Sequence, residues 1–315
     1  MKVSIERAAA LLKCSQPVAI PTETVWGLAA RLDDEPAMRQ IFFLKGRPLK
    51  NPLIIHLSDP KFLFSCCTIK PPGLHELIDA FWPGGLTVVV PVNENKVPSL
   101  ARAGLPTAAF RIPDHTTTLS LIKITGPLVA PSANRSGSPS ATTPAHIIKD
   151  FGSWLPILQT KTYCRHGIES TILIWQDDAW HVGRLGAIGI DAIATVLGYE
   201  PARHTAHSDQ PLCPGQLFRH YAPQARLTLS TGAWKEDDAS QYDGVLGFSD
   251  RSYPGARRII TLSTSTDAAS AGNALYSALR DLDRFQLKSV YVDINVPASA
   301  DWLAILDRLE KASQS

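Results

Sequence analysis

The chain has 315 residues, of which 44% are hydrophobic and 19% charged, a composition that supports packed domains and excludes a disordered polyampholyte. Its 31 basic and 29 acidic side chains leave a formal charge of +2, so no basic excess advertises a dedicated nucleic-acid binder. No run of about 18 apolar residues occurs, and Glu6, Arg7 and Lys13 interrupt the N-terminal apolar positions, unlike a signal-peptide core or a membrane span.

Ile5, Ala8, Ala9, Leu11 and Leu12 fall near helical spacing and precede the apolar run 18–20, which stops at Pro21; the chain is expected to open helix then strand. Asp33 or Asp34 caps a second helix with Pro36 in its first turn, running through Ile41, Phe42 and Leu44 and ending near Gly46. Residues 53–57 read as a buried strand, and 60–64 and 72–81 as short helices. Further strands are expected at 86–90, 108–112, 127–130, 171–175 and 180–184. Residues 1–198 thus form one α/β domain. From 199 to 224 the apolar rhythm fails among Pro201, Pro211, Pro214 and Pro223, which marks a linker. Residues 225–315 resume with strands at 245–248, 259–262 and 290–294 and helices at 268–285 and 302–312, a smaller α/β domain with a largely parallel sheet.

Cys14, Cys66, Cys67, Cys164 and Cys213 form no C-x-x-C pair and no zinc spacing, which suits a reducing, cytoplasmic setting. No phosphate-binding G-x-x-x-x-G-K-[ST] loop, dinucleotide G-x-G-x-x-G or hydrolase G-x-S-x-G is present. Three segments stand out instead. Lys45-Gly46-Arg47-Pro48-Leu49-Lys50-Asn51-Pro52 sets three cations in a stiff turn; this suits a phosphate chain, and equally a solvated basic loop. Residues 127–137 run from a strand into Ser132, Asn134 and Ser136, polar groups that hold a ligand at a strand end or simply make turns. Thr22, Glu23, Thr24 and Trp26 follow the first strand, as turn formers or as a binding loop. His56 reads as a core histidine or a ligand contact. Arg111 and Arg184 end apolar strands and need partners: a substrate carboxylate or phosphate, or Asp114 or Glu169.

In order, PTETVWGL, KGRPLKNPLIIH, FWPGGLT, FRIPDH, APSANRSGSPSATT and GIEST resemble the YrdC/Sua5 family of threonylcarbamoyl-adenylate synthases. Cys213-Pro214-Gly215 with Arg219-His220-Tyr221-Ala222-Pro223 resembles the linker into the C-terminal domain of the long, two-domain form. The resemblance implies a twisted open α/β sheet with a concave ligand cavity, followed by a small Rossmann-like domain. It implies a nucleotidyltransferase that joins L-threonine, bicarbonate or CO2, and ATP with its Mg2+ into threonylcarbamoyl-AMP and pyrophosphate. The product would supply proteins that modify tRNA; strong direct tRNA binding, a membrane, and bound zinc, flavin or NAD are not expected.

By the same resemblance Lys45, Arg47, Ser132 and Asn134 serve the phosphates, Lys45 and Arg47 being catalytic. Asn51, Thr107, Ser140 and Arg184 touch ATP. Thr24, His56, Arg111 and Ser170 hold threonine, with main-chain groups of Ala130. No metal ligand is implied. His220 and Tyr221 are expected to close over ATP as a lid. Trp26, Gly85, Leu185 and Cys213 depart from the family's usual Tyr, Pro, Pro and Ser. Two rival readings are an RNA-binding module using the same cavity, and carbamoyl transfer of the hydrogenase-maturation kind.

Overall fold

The computed structural model describes residues 1–162, 164–204, 211–214 and 221–314. It divides into two compact units. The first comprises Met1–Ser136, Ala141–Arg165 and Glu169–Leu217, and the second Gly137–Ser140, His166–Ile168 and Phe218–Ser315. The expected linker, 199–224, is thus shared between them.

In the first unit the elements run β1 (Lys2–Val3), α1 (Ile5–Lys13), β2 (Val18–Ile20), β3 (Gly27–Arg31), α2 (Glu35–Lys45), β4 (Ile54–His56), α3 (Lys61–Cys66), α4 (Leu74–Phe81), β5 (Leu86–Pro91), β6 (Thr107–Arg111), α5 (Thr116–Thr125), β7 (Leu128–Val129), α6 (Pro144–Phe151), β8 (Ile157–Leu158), β9 (Thr171–Gln176), β10 (Ala179–Arg184) and α7 (Ile190–Leu197). Local chemistry sets the helix ends. Ser4 accepts from the Arg7 amide to start α1, and Asp34 from the Ala37 amide to start α2. Gly46, at φ 61°, ends α2 in the left-handed conformation that glycine adopts without strain.

Among the described residues the ten strands form one mixed sheet in the order β1-β8-β2-β3-β7-β4-β6-β5-β9-β10. Residues in register share a face. His56 lies opposite Arg111 on β4 and β6, and opposite Leu128 on β7. On that face the helices α1 and α5 cover β2, β3 and β7 through Leu11, Leu12, Leu121 and Ile122, packed on Val18, Ala29, Leu128 and Ala130. Over β4, β6, β5 and β9 the same face shows Ile54, Ala109, Val89, Ile172 and Ile174, on which Leu212 and Cys213 pack. A polar pair is therefore set in an apolar floor, at the margin of the helix-covered half.

The second unit contains β11 (Arg226–Ser230), a 3-10 turn (Glu236–Ser240), β12 (Gly244–Gly247), β13 (Ile259–Thr261), α8 (Ala268–Arg284), β14 (Ser289–Asp293) and α9 (Ala300–Ser313). Its sheet, in the order β11-β14-β12-β13, is parallel throughout. Ligands of such sheets enter at the carboxyl ends of the strands, but here the protein's own groups meet there. Asp293 accepts from Tyr253 Oη at 2.8 Å and Arg251 Nη1 at 2.6 Å, and the Tyr253 ring occupies the space where a Cβ on Gly247 would stand.

The strong elements match the expectation closely, while β1, β3, β8, β11, α5, α6 and α7 add to it. No helix among the described residues is long and apolar enough to cross a membrane. Phe110 is fully buried on the face of β6 opposite Arg111. Phe110→Ala is expected to lower unfolding free energy by about 3–5 kcal/mol, measured by urea titration, because a large cavity replaces a close-packed ring.

Candidate active site

The polar groups of the first unit gather at two edges of the sheet. At the edge where β4 and β6 begin and β7 ends, Lys45 closes α2. Its ammonium, though buried, donates to the carbonyls of Ser132 and Asn134, each at 2.5 Å. In return the Lys45 carbonyl accepts from the Ser136 amide at 2.8 Å. Burial pushes the Lys45 amine well below its ordinary pKa and the charge of Arg47 pushes it the same way, with Asp150 opposing. Lys45 spends two ammonium hydrogens on carbonyls, and no carboxylate among the described residues pairs with it, so one remains for an incoming acceptor.

Arg47 is also buried. It donates from Nη2 to Asn51 Oδ1 and the Pro52 carbonyl, both at 2.7 Å, and from Nε to the Asn51 carbonyl at 3.2 Å. Lys45 and Arg47 are therefore not a solvated basic loop, whereas Lys50 between them and the strand is exposed. Asn134 is buried and Ser132 half-buried. Thr107 opens β6 at this edge, beside the start of β4, and lies on the order of 13 Å of strand from Arg111.

At the opposite edge Arg111 closes β6. It donates from Nε to the Gly84 carbonyl at 3.0 Å, from Nη1 to Thr24 Oγ1 at 2.9 Å and from Nη2 to Glu23 Oε1 at 2.7 Å. Glu23 and Arg111 are both buried. The partner is thus neither Asp114, which pairs with Arg165, nor Glu169. Glu23 was missed by sequence reasoning, although its place between two threonines directly after a strand was the available signal. Burial pushes its carboxyl up, but the charge and hydrogen bond of Arg111 and the amides of Asp114 and Glu23 hold it below the usual value. A guanidinium has five N–H donors, and Arg111 uses three. One on each Nη remains, the pair that matches a carboxylate.

His56, directly across from Arg111, is buried with Nδ1 3.1 Å from the Ile54 carbonyl. A carbonyl only accepts, so Nδ1 carries the hydrogen and Nε2 is the acceptor. Burial and the charge of Arg111 push this imidazole down to about 3, against the Ile54 carbonyl and Glu23. Ser170 shares a 2.8 Å hydrogen bond with Thr87, and Arg184 donates to its carbonyl from Nε and Nη2 and to its hydroxyl from Nη2. Arg184, expected with the nucleotide, therefore stands on the residue expected at threonine. The Ala130 amide is spent on the Ile54 carbonyl at 3.1 Å, which leaves its own carbonyl to offer.

Two expected site residues belong to the second unit. Ser140 is fully buried there. Tyr221 has its ring stacked on Tyr276 at 5.5 Å with the Arg308 guanidinium 5.0 Å from it, so the expected lid group is a core residue of that unit. His220 lies outside the described residues. No group of three or more His, Cys, Asp or Glu side chains fit for a metal ion occurs among the described residues.

Comparison with known proteins gives the family and the fold. A family model described as telomere recombination matches residues 10–186, and one described as the C-terminal domain of threonylcarbamoyl-AMP synthase matches 188–314. The threonylcarbamoyl-AMP synthase of Bacillus subtilis is 33% identical over 98% of this chain and 92% of its own. That of Pyrococcus abyssi is 34% identical over 98% of this chain and 94% of its own. A crystal structure of P. abyssi Sua5 complexed with L-threonine superposes with a TM-score of 0.89 at 32% identity, covering 99% of this chain and 97% of that one.

The imidazole of His56 sets a pH dependence. Its ordinary pKa is 6.5 and its folded value about 3, so between these the unfolded chain binds the proton and the folded chain does not. Stability therefore falls as pH drops from 6.5, by about 1–2 kcal/mol at pH 5. Urea unfolding at pH 7 and 5 should show this loss, and His56→Gln should reduce it. Glu23, held below 4.5, adds a separate loss only under more acid conditions.

Proposed function

The chain belongs to the Sua5 family of threonylcarbamoyl-AMP synthases, and on that premise we propose that it joins L-threonine, bicarbonate or CO2, and ATP into threonylcarbamoyl-AMP, releasing pyrophosphate. The observation that carries the reading is the pairing of two edges on one sheet: a buried lysine with a hydrogen to spare at one, and a neutralised arginine with two spare N–H groups at the other.

In this reading the threonine carboxylate takes the two free N–H groups of Arg111. Because Glu23 already balances that arginine, the substrate adds a charge that Thr24 and the protein's dipoles must share. Nε2 of His56, held as an acceptor, takes a hydrogen bond from the substrate's hydroxyl or amine. The neutral amine adds to the carbon of CO2, forming the N–C bond, and gives its proton to solvent, leaving a carbamate. A carbamate oxygen then forms a bond to the α-phosphorus as the bond to pyrophosphate breaks.

Both reactants are anions, so the site must bring like charges together and disperse the charge of the leaving group. Lys45, Arg47, Ser132 and Asn134 are assigned to the phosphates, with Asn51, Thr107, Ser140 and Arg184 as further nucleotide contacts. The magnesium ion arrives with ATP as part of the substrate. No covalent intermediate is needed, and Cys213 is packed in an apolar cluster. The product would pass to the proteins that transfer the threonylcarbamoyl group to tRNA.

Purified protein given Mg-ATP should release pyrophosphate only when both threonine and bicarbonate are present. Orthophosphate release, or AMP formation indifferent to threonine, would overturn the reading. Lys45→Met and Arg47→Met should each lower the rate roughly 30- to 1000-fold, the size of ~2–4 kcal/mol of transition-state stabilisation. Lys45→Met should melt close to the wild type, since relief of a buried cation offsets the loss of its two bonds to carbonyls. Turnover unchanged in both variants would return the loop to a structural role.

A further inference from the structure

We propose that α8 is a positioning element for both substrates: Arg280 fixes the strap that continues the phosphate loop, and the Gly272–Asn273 backbone fixes the strap that leads into the threonine loop. The inference rests on the activity proposed above.

Three residues beyond Asn134 the chain leaves the first unit, and Gly137–Ser140 belongs to the second. There two carbonyls of the strap are bonded within that unit. The Ala222 amide donates to the Gly137 carbonyl at 2.8 Å, and Arg280 Nη2 to the Pro139 carbonyl at 2.6 Å. The Arg280 guanidinium is buried, an arrangement that is costly unless its bonds are made. The loop from Ser132 to Ser140 is therefore pinned near its start by Lys45 and at its end by α8. Freedom lost at the strap is freedom lost at Ser132 and Asn134.

The second strap, His166–Ile168, likewise belongs to the second unit. Gly167 has φ 68°, and a Cβ there would stand 2.3 Å from Asn273 Cα and 2.6 Å from the Gly272 carbonyl oxygen. Backbone thus meets backbone, with a glycine on each side. A Cβ on Gly272 would already touch the His166 carbonyl oxygen at 3.4 Å, in ordinary contact, so the larger branched side chain of a valine would press on the strap. Ser170 follows three residues after Gly167, so a displacement of the strap arrives at the groups that Arg184 and Thr87 hold in place.

A merely structural α8 would weaken both ligands together or lower only the melting temperature. A positioning α8 makes the two straps separable. Titration calorimetry on the full chain, with a non-hydrolysable ATP analogue and with L-threonine, reads this directly. Arg280→Met should bind the ATP analogue about tenfold more weakly, the loss expected for one charged hydrogen bond transmitted to the loop, with threonine within about twofold of wild type. Arg280→Lys, which keeps one donor, should recover part of the loss. Gly272→Val should do the converse, weakening threonine about tenfold and leaving the analogue within about twofold. Unchanged affinities in folded variants, or equal weakening of both ligands in each variant, would overturn the proposal. If Arg280→Met does not fold, Arg280→Lys decides by the same selectivity. Failure of the wild type to bind either ligand would instead overturn the synthase reading.

Discussion

The charge of Arg111 organises the edge of the sheet where β4 and β6 end. It ends an apolar strand and is buried, and an unpaired guanidinium in that place would cost several kcal/mol. Glu23 supplies the counter-charge, which obliges the loop after β2 to fold back over the sheet. The loop is held in that path by its own turn: Thr22 Oγ1 donates to the Val25 carbonyl at 2.6 Å and shares a 2.9 Å bond with Thr24. Thr118 on α5 anchors it from the other side through the Pro21 carbonyl. Burial, together with the same charge, keeps His56 neutral, and the Ile54 carbonyl fixes its tautomer. One ion pair therefore fixes a loop and leaves two donors for a carboxylate.

Most of the long elements were legible because periodicity and caps agree in them: the stripe of α1, the Asp34 cap and Pro36 of α2, the Leu86–Val90 run and the 17 residues of α8. What was not legible is structure that exists through its neighbours. Gly27–Arg31 reads GLAAR, with no β-branched or aromatic residue, yet it is a strand because β2 and β7 pair with it on either side. The two-residue strands β1 and β8 mainly pair with each other and carry no pattern of their own. The site divided in the same way. Motif residues located both edges, but pairing depends on the fold, and sequence distance favoured Asp114 or Glu169 for Arg111 over Glu23, 88 residues away.

Tyr221 stands at the described end of the segment whose composition reads as a lid. A linker carrying a guanidinium, an imidazole and a phenol reads as a lid, because those groups stack and hydrogen-bond. The phenol does stack, on Tyr276 within its own unit, with the Arg308 guanidinium 5.0 Å from its ring centroid. Ring–ring and ring–cation contacts of this kind contribute roughly 0.5–1.5 kcal/mol beyond buried area. To reach a nucleotide it would have to leave that stack. The same groups that make a good lid make a good anchor, and burial separates the two.

A chain of near-neutral net charge can still hold anions tightly, because local desolvation governs the interaction. Exposed lysines and arginines share their field with water and salt, so the even balance of 31 basic and 29 acidic groups says nothing of the site. Lys45 has been moved out of water and bonded to two carbonyls, with its amine pushed down by burial and by Arg47. Such a group is less favourable as a cation in its buried place than in water, and a nearby anion offsets that cost. Binding of a phosphate and protonation of Lys45 are therefore linked: each favours the other by the same free energy. The low-dielectric setting strengthens Coulomb attraction between this amine and a phosphate. In the proposed reaction such a group would draw together two reactants that repel in water, without a nucleophile from the protein.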